Sequence, residues 1–351
     1  MPTTPAGLIE LRSDNCAGVA PQVMAAITAA NEGTALAYGG DHWSEELHEV
    51  VAEAFGVPDA QVFPVVSGTA ANSLALSAMV PPWGSVLCHQ TSHIYVNECG
   101  ATSLFGGGAV MRALPGDDFK LDPQVVADAL AATNWGDPHH SQPSVVSFTC
   151  PTDFGTVYTA DELKAVVDVA AERGLRAHLD GARLANAIAS LHCSPTAITR
   201  DVGLHAFSLG AIKNGVMSTD AIVSLDPAVS EQLLYRTKRA GHVASKMRFQ
   251  SAQLIAYLTD GLWVKLAKQA NAAMVELARG VKALGLELVT EPQANIAFVR
   301  IDEIAWRAWA AAGVQFYDID TELIRLVTSW QTTPDDVTEA LTRLERVLTT
   351  R

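Results

Sequence analysis

The chain has 351 residues, 49% of them hydrophobic and 18% charged, ample material for a core and more than one compact domain usually holds. A formal net charge of −14 argues against nucleic acid or an anionic membrane as the main partner, and no apolar run approaches the roughly 20 residues needed to cross a bilayer. The five cysteines (Cys16, Cys88, Cys99, Cys150 and Cys193) have no C-x-x-C spacing, so neither a disulfide framework nor a metal centre is expected, and reduced thiols fit the cytoplasm.

From the start of the chain, Met1 to Glu10 lacks the basic and apolar regions of a secretory leader. Val62 to Val66 reads as a buried strand, and Ser67-Gly68-Thr69 opens an Ala/Leu-rich helix that runs to about Met79. Ser85 to His89 and Ser144 to Cys150 read as strands. Thr159 to Gly174 is the clearest helix: Thr159 and Glu162 form a T-x-x-E capping box, and Gly174 supplies a left-handed stop. Strands follow at Arg176 to Asp180, Ala206 to Gly210 and Ala221 to Leu225. Strands alternating with helices predict an α/β fold with a mostly parallel sheet covered on both faces. After about Asp226 helices dominate, with a bridging helix expected between roughly Met247 and Ala270. Strands at Asn295 to Ile301 and Leu323 to Ser329, then a helix from Thr333-Pro334, complete a smaller α+β unit.

Three polar clusters sit at strand ends, where open α/β sheets bind ligands. Ser67-Gly68-Thr69 starts a helix, whose free N–H groups and dipole favour a phosphate. Alone, it is also an ordinary strand–helix turn. Asp180 ends an otherwise apolar strand, where a carboxylate needs a cation or several donors. A protonated pyridine nitrogen would serve, and so would Arg183 or a helix cap. Lys213 lies between Gly210 and Gly215, 33 residues beyond Asp180, at the end of a later strand. A partly buried lysine has a depressed pKa, as a Schiff-base nucleophile needs, although a lone loop lysine is usually solvated. The three clusters together are far more specific than any one of them.

With these residues in view, the chain resembles the fold type I, aspartate-aminotransferase-like pyridoxal enzymes, and among them the L-threonine aldolases of the β-eliminating lyase family. The matching stretches are S-D-N at Ser13, Y-G-G-D at Tyr38, S-G-T-A-A-N at Ser67, S-H-I at Ser92, D-G-A-R at Asp180, G-A-I-K-N-G at Gly210, S-K-M-R-F at Ser245 and R-L-V-T-S-W at Arg325. The resemblance implies pyridoxal 5′-phosphate bound as a Schiff base to Lys213, with Asp180 at the pyridine nitrogen and Arg183 near the phenolic oxygen. Ser67, Gly68 and Thr69 would hold the phosphate, helped by Arg248 from a neighbouring subunit. His93 would stack on the ring and touch the substrate hydroxyl, while Ser13 and Arg325 would hold the substrate carboxylate. Tyr38 would reach a neighbour's site, and His42 would border the substrate.

The resemblance further implies a homotetramer, a dimer of dimers. Residues 1–20 would contribute to the active site, 21–246 would form a large cofactor-binding domain and 247–351 a small one. The chain departs from its relatives at Ala211-Ile212 before the lysine, at Asp153 where relatives tend to have Glu, and at His42. The implied reaction is retro-aldol cleavage of an L-β-hydroxy-α-amino acid to glycine and an aldehyde. His93 is the first candidate for the base, with a bound water and His42 as rivals. β-Elimination on a related amino acid is the alternative chemistry, and a non-catalytic pyridoxal-binding module is a further one.

Overall fold

The computed structural model describes residues 7–350. Met1 to Ala6, part of the stretch read for a leader and of the 1–20 segment, lie outside the described residues, as does Arg351. A seven-stranded sheet forms the centre, in the order Gln61–Val65, Asp220–Ser224, Ala206–Leu209, Arg176–Asp180, Gln142–Thr149, Gly84–His89 and Val110–Leu114. All neighbours are parallel except Asp220–Ser224, which runs against both of its partners. The central strands are buried throughout, as a sheet covered on both faces requires. The strand at Val110–Leu114 has no counterpart in the sequence reading; it is an edge strand whose Val110 is exposed, so its apolar pattern is weak.

The Ala160–Ala171 helix starts in the expected capping box, and Gly174 takes φ 74° just beyond it. The bridging helix is a correction. In place of one continuous helix over 247–270, Arg248–Leu258 ends at a turn over Thr259–Gly261, where Asp260 and Gly261 take φ of 53° and 64°. Asp-Gly is a turn-forming pair, and the helical periodicity on both sides concealed it. The next helix, Leu262–Ala283, is the actual bridge. Its first turns (Trp263, Leu266, Ala267) pack into the core under the large sheet, and its later ones (Met274, Leu277, Val281) into a second core.

That second core lies under a four-stranded antiparallel sheet, in the order Tyr317–Asp318, Leu323–Val327, Ile296–Arg300 and Glu287–Leu288. The N-terminal stretch joins this unit. Ile9–Glu10 pairs in parallel with Val314–Gln315, and the Val327 N–H donates to the Leu11 carbonyl at 2.9 Å. Residues just after Leu11 are thereby delivered to the junction between the two cores.

Candidate active site

The ends of two adjacent strands make the floor of the site. Asp180 is buried at the last position of its strand. Its Oδ1 accepts from the Ala182 N–H at 3.0 Å and the Ser208 hydroxyl at 3.3 Å. Ser208 Oγ in turn accepts from the Gly181 N–H at 2.9 Å. The two turns that follow touch backbone to backbone: the Gly210 N–H donates to the Gly181 carbonyl at 3.0 Å, and a Cβ at Gly210 would fall 2.1 Å from the Ala182 oxygen. Lys213 sits in the short turn Ile212–Asn214, which ends at Gly215 with φ 96°, a conformation suited to glycine. The Asn214 amide pins the turn from below, donating to the Tyr257 hydroxyl at 2.9 Å and the Trp263 carbonyl at 2.8 Å.

Arg183 does not neutralise Asp180. Its guanidinium turns instead to Asp14, with Nε–Oδ2 at 2.6 Å and Nη2–Oδ1 at 3.0 Å. Asp14 also accepts from Asn295 at 3.0 Å. Burial pushes the Asp14 carboxyl up, but the charge and hydrogen bonds of Arg183 more than offset this and hold it below its ordinary value. Asp180 Oδ2 is left with no hydrogen-bond donor among the described residues.

Above this floor is a cavity of about 330 Å³, lined by Ser67, Gly68, Thr69, His93, Asp180, Arg183 and Lys213. Ser67 caps the Gly68–Met79 helix, its Oγ accepting from the Ala70 N–H at 3.3 Å, so the helix N-terminus opens on the cavity. Asn72, one turn along, donates to Glu98 Oε1 at 3.0 Å. The same oxygen is 2.9 Å from His93 Nδ1. This hydrogen bond raises the His93 pKa above its usual value against the opposing effect of burial, and the ring's other nitrogen makes no hydrogen bond among the described residues. One donor atom from each of His93, Glu98 and Asp180 falls within 4.8 Å of the others, so the imidazole stands close over the strand end.

Lys213 makes no hydrogen bond or ion pair among the described residues. The Arg183 charge, then burial, lowers its pKa. Asp153, also in the cavity, is raised by burial and by Asp180, and its Oδ2 has no partner among the described residues.

Other residues named from the sequence stand outside the cavity lining. Ser13 caps the Asp14–Cys16 turn. Arg325 is half-buried on its strand, 5.2 Å above the Tyr317 ring, with Nη2 at 3.5 Å from the Arg12 carbonyl and Nε unpartnered. Burial and the neighbouring Arg183 lower its pKa, which puts it within electrostatic reach of the cavity. Tyr38 is exposed, lies 4.6 Å from Lys238 Nζ and borders a separate cavity of about 190 Å³. His42 stacks on Trp43 at 3.6 Å. Arg248 begins its helix 5.0 Å from the Phe249 ring, with Nε unpartnered.

Sequence reasoning did not assign Asp14, Asn72, Glu98 or Asp220. Asp14 lies inside the quoted S-D-N stretch, and its neighbour Asn15 also lines the cavity. Asn72 lies in S-G-T-A-A-N, on the helix face that looks at Glu98. Glu98 and Asp220 carried no local signal, because each acquires its partners only through the fold.

The Beta-eliminating lyase family matches residues 10–304, and the chain belongs to it. The low specificity L-threonine aldolase of Pseudomonas sp. (strain NCIMB 10558) is 36% identical over 341 residues, spanning 97% of this chain and 98% of the relative. The threonine aldolase of Leishmania major superposes with a TM-score of 0.90 at 26% identity, over 97% of this chain and 99% of that one. The aspartate aminotransferase of Thermus thermophilus, at 19% identity, shares the fold with a TM-score of 0.68 over 97% of this chain and 92% of its own. The architecture read from the sequence is therefore the observed one: an aspartate-aminotransferase-like large unit with a smaller α+β unit.

Proposed function

We propose that this chain cleaves L-β-hydroxy-α-amino acids (L-threonine, L-allo-threonine and, as a wider substrate, phenylserine) to glycine and an aldehyde, using pyridoxal 5′-phosphate. The observation that carries the reading is that Lys213, Asp180, the Gly68 helix N-terminus and His93 line a single cavity. The residues present fit the cofactor. Among the described residues Lys213 is unpaired and Asp180 keeps one oxygen without a donor, and Gly68 leaves room at the helix end, where a Cβ would meet only Asp220 Oδ2 at 3.9 Å. An amine, a lone carboxylate oxygen and an open helix N-terminus are what an aldehyde, a pyridinium and a phosphate require.

When bound, the cofactor supplies a ring that accepts the electron pair of the breaking Cα–Cβ bond. The chain's residues do the rest. Lys213, kept below its usual pKa by Arg183 and burial, gives up its proton more readily than a solvated lysine, as a nucleophilic amine must. Asp180 holds the pyridine nitrogen protonated, and Arg183, fixed by Asp14, addresses the phenolic oxygen. His93 accepts the β-hydroxyl proton on Nε2 while Glu98 holds Nδ1. Ser13 and Arg325 would hold the substrate carboxylate and so fix the orientation of the amino acid in the site. Their place just outside the cavity lining suits groups that meet the substrate at its rim.

The working form is a cytoplasmic homotetramer, a dimer of dimers, in which Tyr38 and Arg248 serve a neighbour's site and His42 borders the substrate. Tyr38 is exposed, and neither Tyr38 nor Arg248 lines the protomer's own cavity, which supports this. Residues 21–246 act as the cofactor-binding domain and 247–351 as the small domain, with 1–20 completing the site between them. No described helix is long and apolar enough to cross a membrane.

The test is glycine release from L-threonine, L-allo-threonine, L-phenylserine, L-serine and the D-isomers, with and without added pyridoxal phosphate. Glycine with an aldehyde is the expected result. A 2-keto acid with ammonia would assign β-elimination instead, and no glycine from any substrate would end the aldolase reading.

A further inference from the structure

Asp220 is a carboxylate of the cavity that the chemistry above leaves unused. It is the first residue of the Asp220–Ser224 strand and is buried. Its strand partner is Val65, two residues before the Ser67 cap, so it stands beside the helix N-terminus. Its Oδ1 accepts from the Ala211 N–H at 2.7 Å and the Ile212 N–H at 3.0 Å, the two amides directly before Lys213. Its Oδ2 accepts no hydrogen bond among the described residues and lies 3.9 Å from the point where a Gly68 side chain would begin. One side chain therefore links the lysine turn to the mouth of the phosphate-sized space.

A neutral side chain with one acceptor oxygen could hold the same two amides. Burial and Asp180 push the Asp220 carboxyl up, while the Ala211 and Ile212 amides and the Lys213 charge pull it down; an ionised aspartate beside a helix end suited to an anion is unfavourable unless it faces a cation nearby. The cation is Lys213. The charged groups that face it are Arg183, which disfavours its protonated form, and Asp14, Asp153, Asp180 and Asp220, which favour it. Asp14 is committed to Arg183 and Asp180 to the strand-end turn. Asp220 alone of these is bonded to the lysine's own turn.

We propose that Asp220 is a positioning residue for Lys213, fixing its turn through Oδ1 and counterbalancing the Arg183 charge at the lysine nitrogen. The proposal rests on Lys213 as the cofactor-bearing residue. It separates two substitutions. Asp220→Asn keeps an acceptor for both amides, removes the charge and offers a donor toward the helix end. Asp220→Ala removes all of these.

The experiment is a pH titration of the visible absorbance of bound cofactor in the full-length wild type and both variants, with cofactor dissociation constants from fluorescence. In Asp220→Asn the titration midpoint should fall by about one pH unit, because a nearby negative charge is lost. Its cofactor affinity should equal or exceed that of the wild type. In Asp220→Ala the affinity should weaken by about tenfold, the loss expected when one or two charge-assisted hydrogen bonds that order a turn are removed. An unchanged midpoint in Asp220→Asn overturns the charge role, whether or not the alanine variant folds. Wild-type affinity in Asp220→Ala overturns the turn-holding role. A wild-type chain that takes up no cofactor overturns the function reading and this proposal together; normal wild-type uptake with unaltered variants overturns this proposal alone.

Discussion

The two sides of the cavity are held in different ways. The strand-end side, from Asp180 to Lys213, is fixed by backbone contacts between adjacent strands and pinned by buried side chains of the bridging region. The substrate side draws Ser13 and Arg325 from the junction of two cores, and leaves Tyr38 and His42 at the surface. Between them, the Asp14–Arg183 ion pair ties the N-terminal stretch to the turn after the Asp180 strand. On the proposed function, a site divided in this way would keep its cofactor side rigid, while the part that meets variable substrates would depend on how the two cores are placed.

The comparison breaks most visibly on the rigid side. Lys213→Ala should lower glycine release by about 10⁴-fold or more, as expected for a removed covalent nucleophile. Borohydride reduction followed by mass spectrometry should then find no cofactor attached to the chain. The Asp14–Arg183 link comes next. Asp14→Ala leaves a buried guanidinium unpaired and should cost about 3–5 kcal/mol of stability, read by denaturant unfolding. Because Arg183 holds the Asp14 carboxyl below its ordinary value, the pair stabilises the fold above about pH 4. That contribution is lost as pH falls through the depressed value. Loss of stability on the alkaline side alone would contradict this assignment.

The base sits between the two sides and sharpens the contrast. His93→Asn should slow cleavage by about 10²–10⁴-fold with the bound-cofactor spectrum retained; unchanged cleavage removes His93 from the base role. Glu98→Gln should act more gently. Glu98 raises the His93 pKa, and the proposed base role needs neutral His93, so loss of the carboxylate should move the acidic limb of kcat/KM to lower pH. A limb that stays in place would show that Glu98 does not act through His93. On the variable side, His42→Ala should leave stability unchanged and alter the preference between threonine and phenylserine by only about 1–3 kcal/mol, the range of a hydrophobic pocket edge.

Much was legible before any tertiary structure. The capping box at Thr159, the Thr333-Pro334 helix start, the strand ending at Asp180 and the glycines around Lys213 are local signals, because caps, strand periodicity and tight turns are written in neighbouring residues. The order of the phosphate turn, the aspartate and the lysine on separate strand ends pointed to the site as well. The Asp260-Gly261 break was equally local, and the strong helical pattern around it masked it.

What only the tertiary structure decided is which charges meet. Asp180 next to Arg183 in sequence suggests a pair, yet the strand end and the following turn point them apart, and Arg183 finds Asp14, 169 positions away. Glu98 reaches Asn72 and His93 because a helix and a strand-end loop converge, and Asp220 reaches the lysine turn because its strand runs antiparallel beside it. Local sequence determines the backbone path of each turn. The partner of a buried charge is set by burial, since a desolvated ion must find its counter-charge or donors wherever the fold brings them.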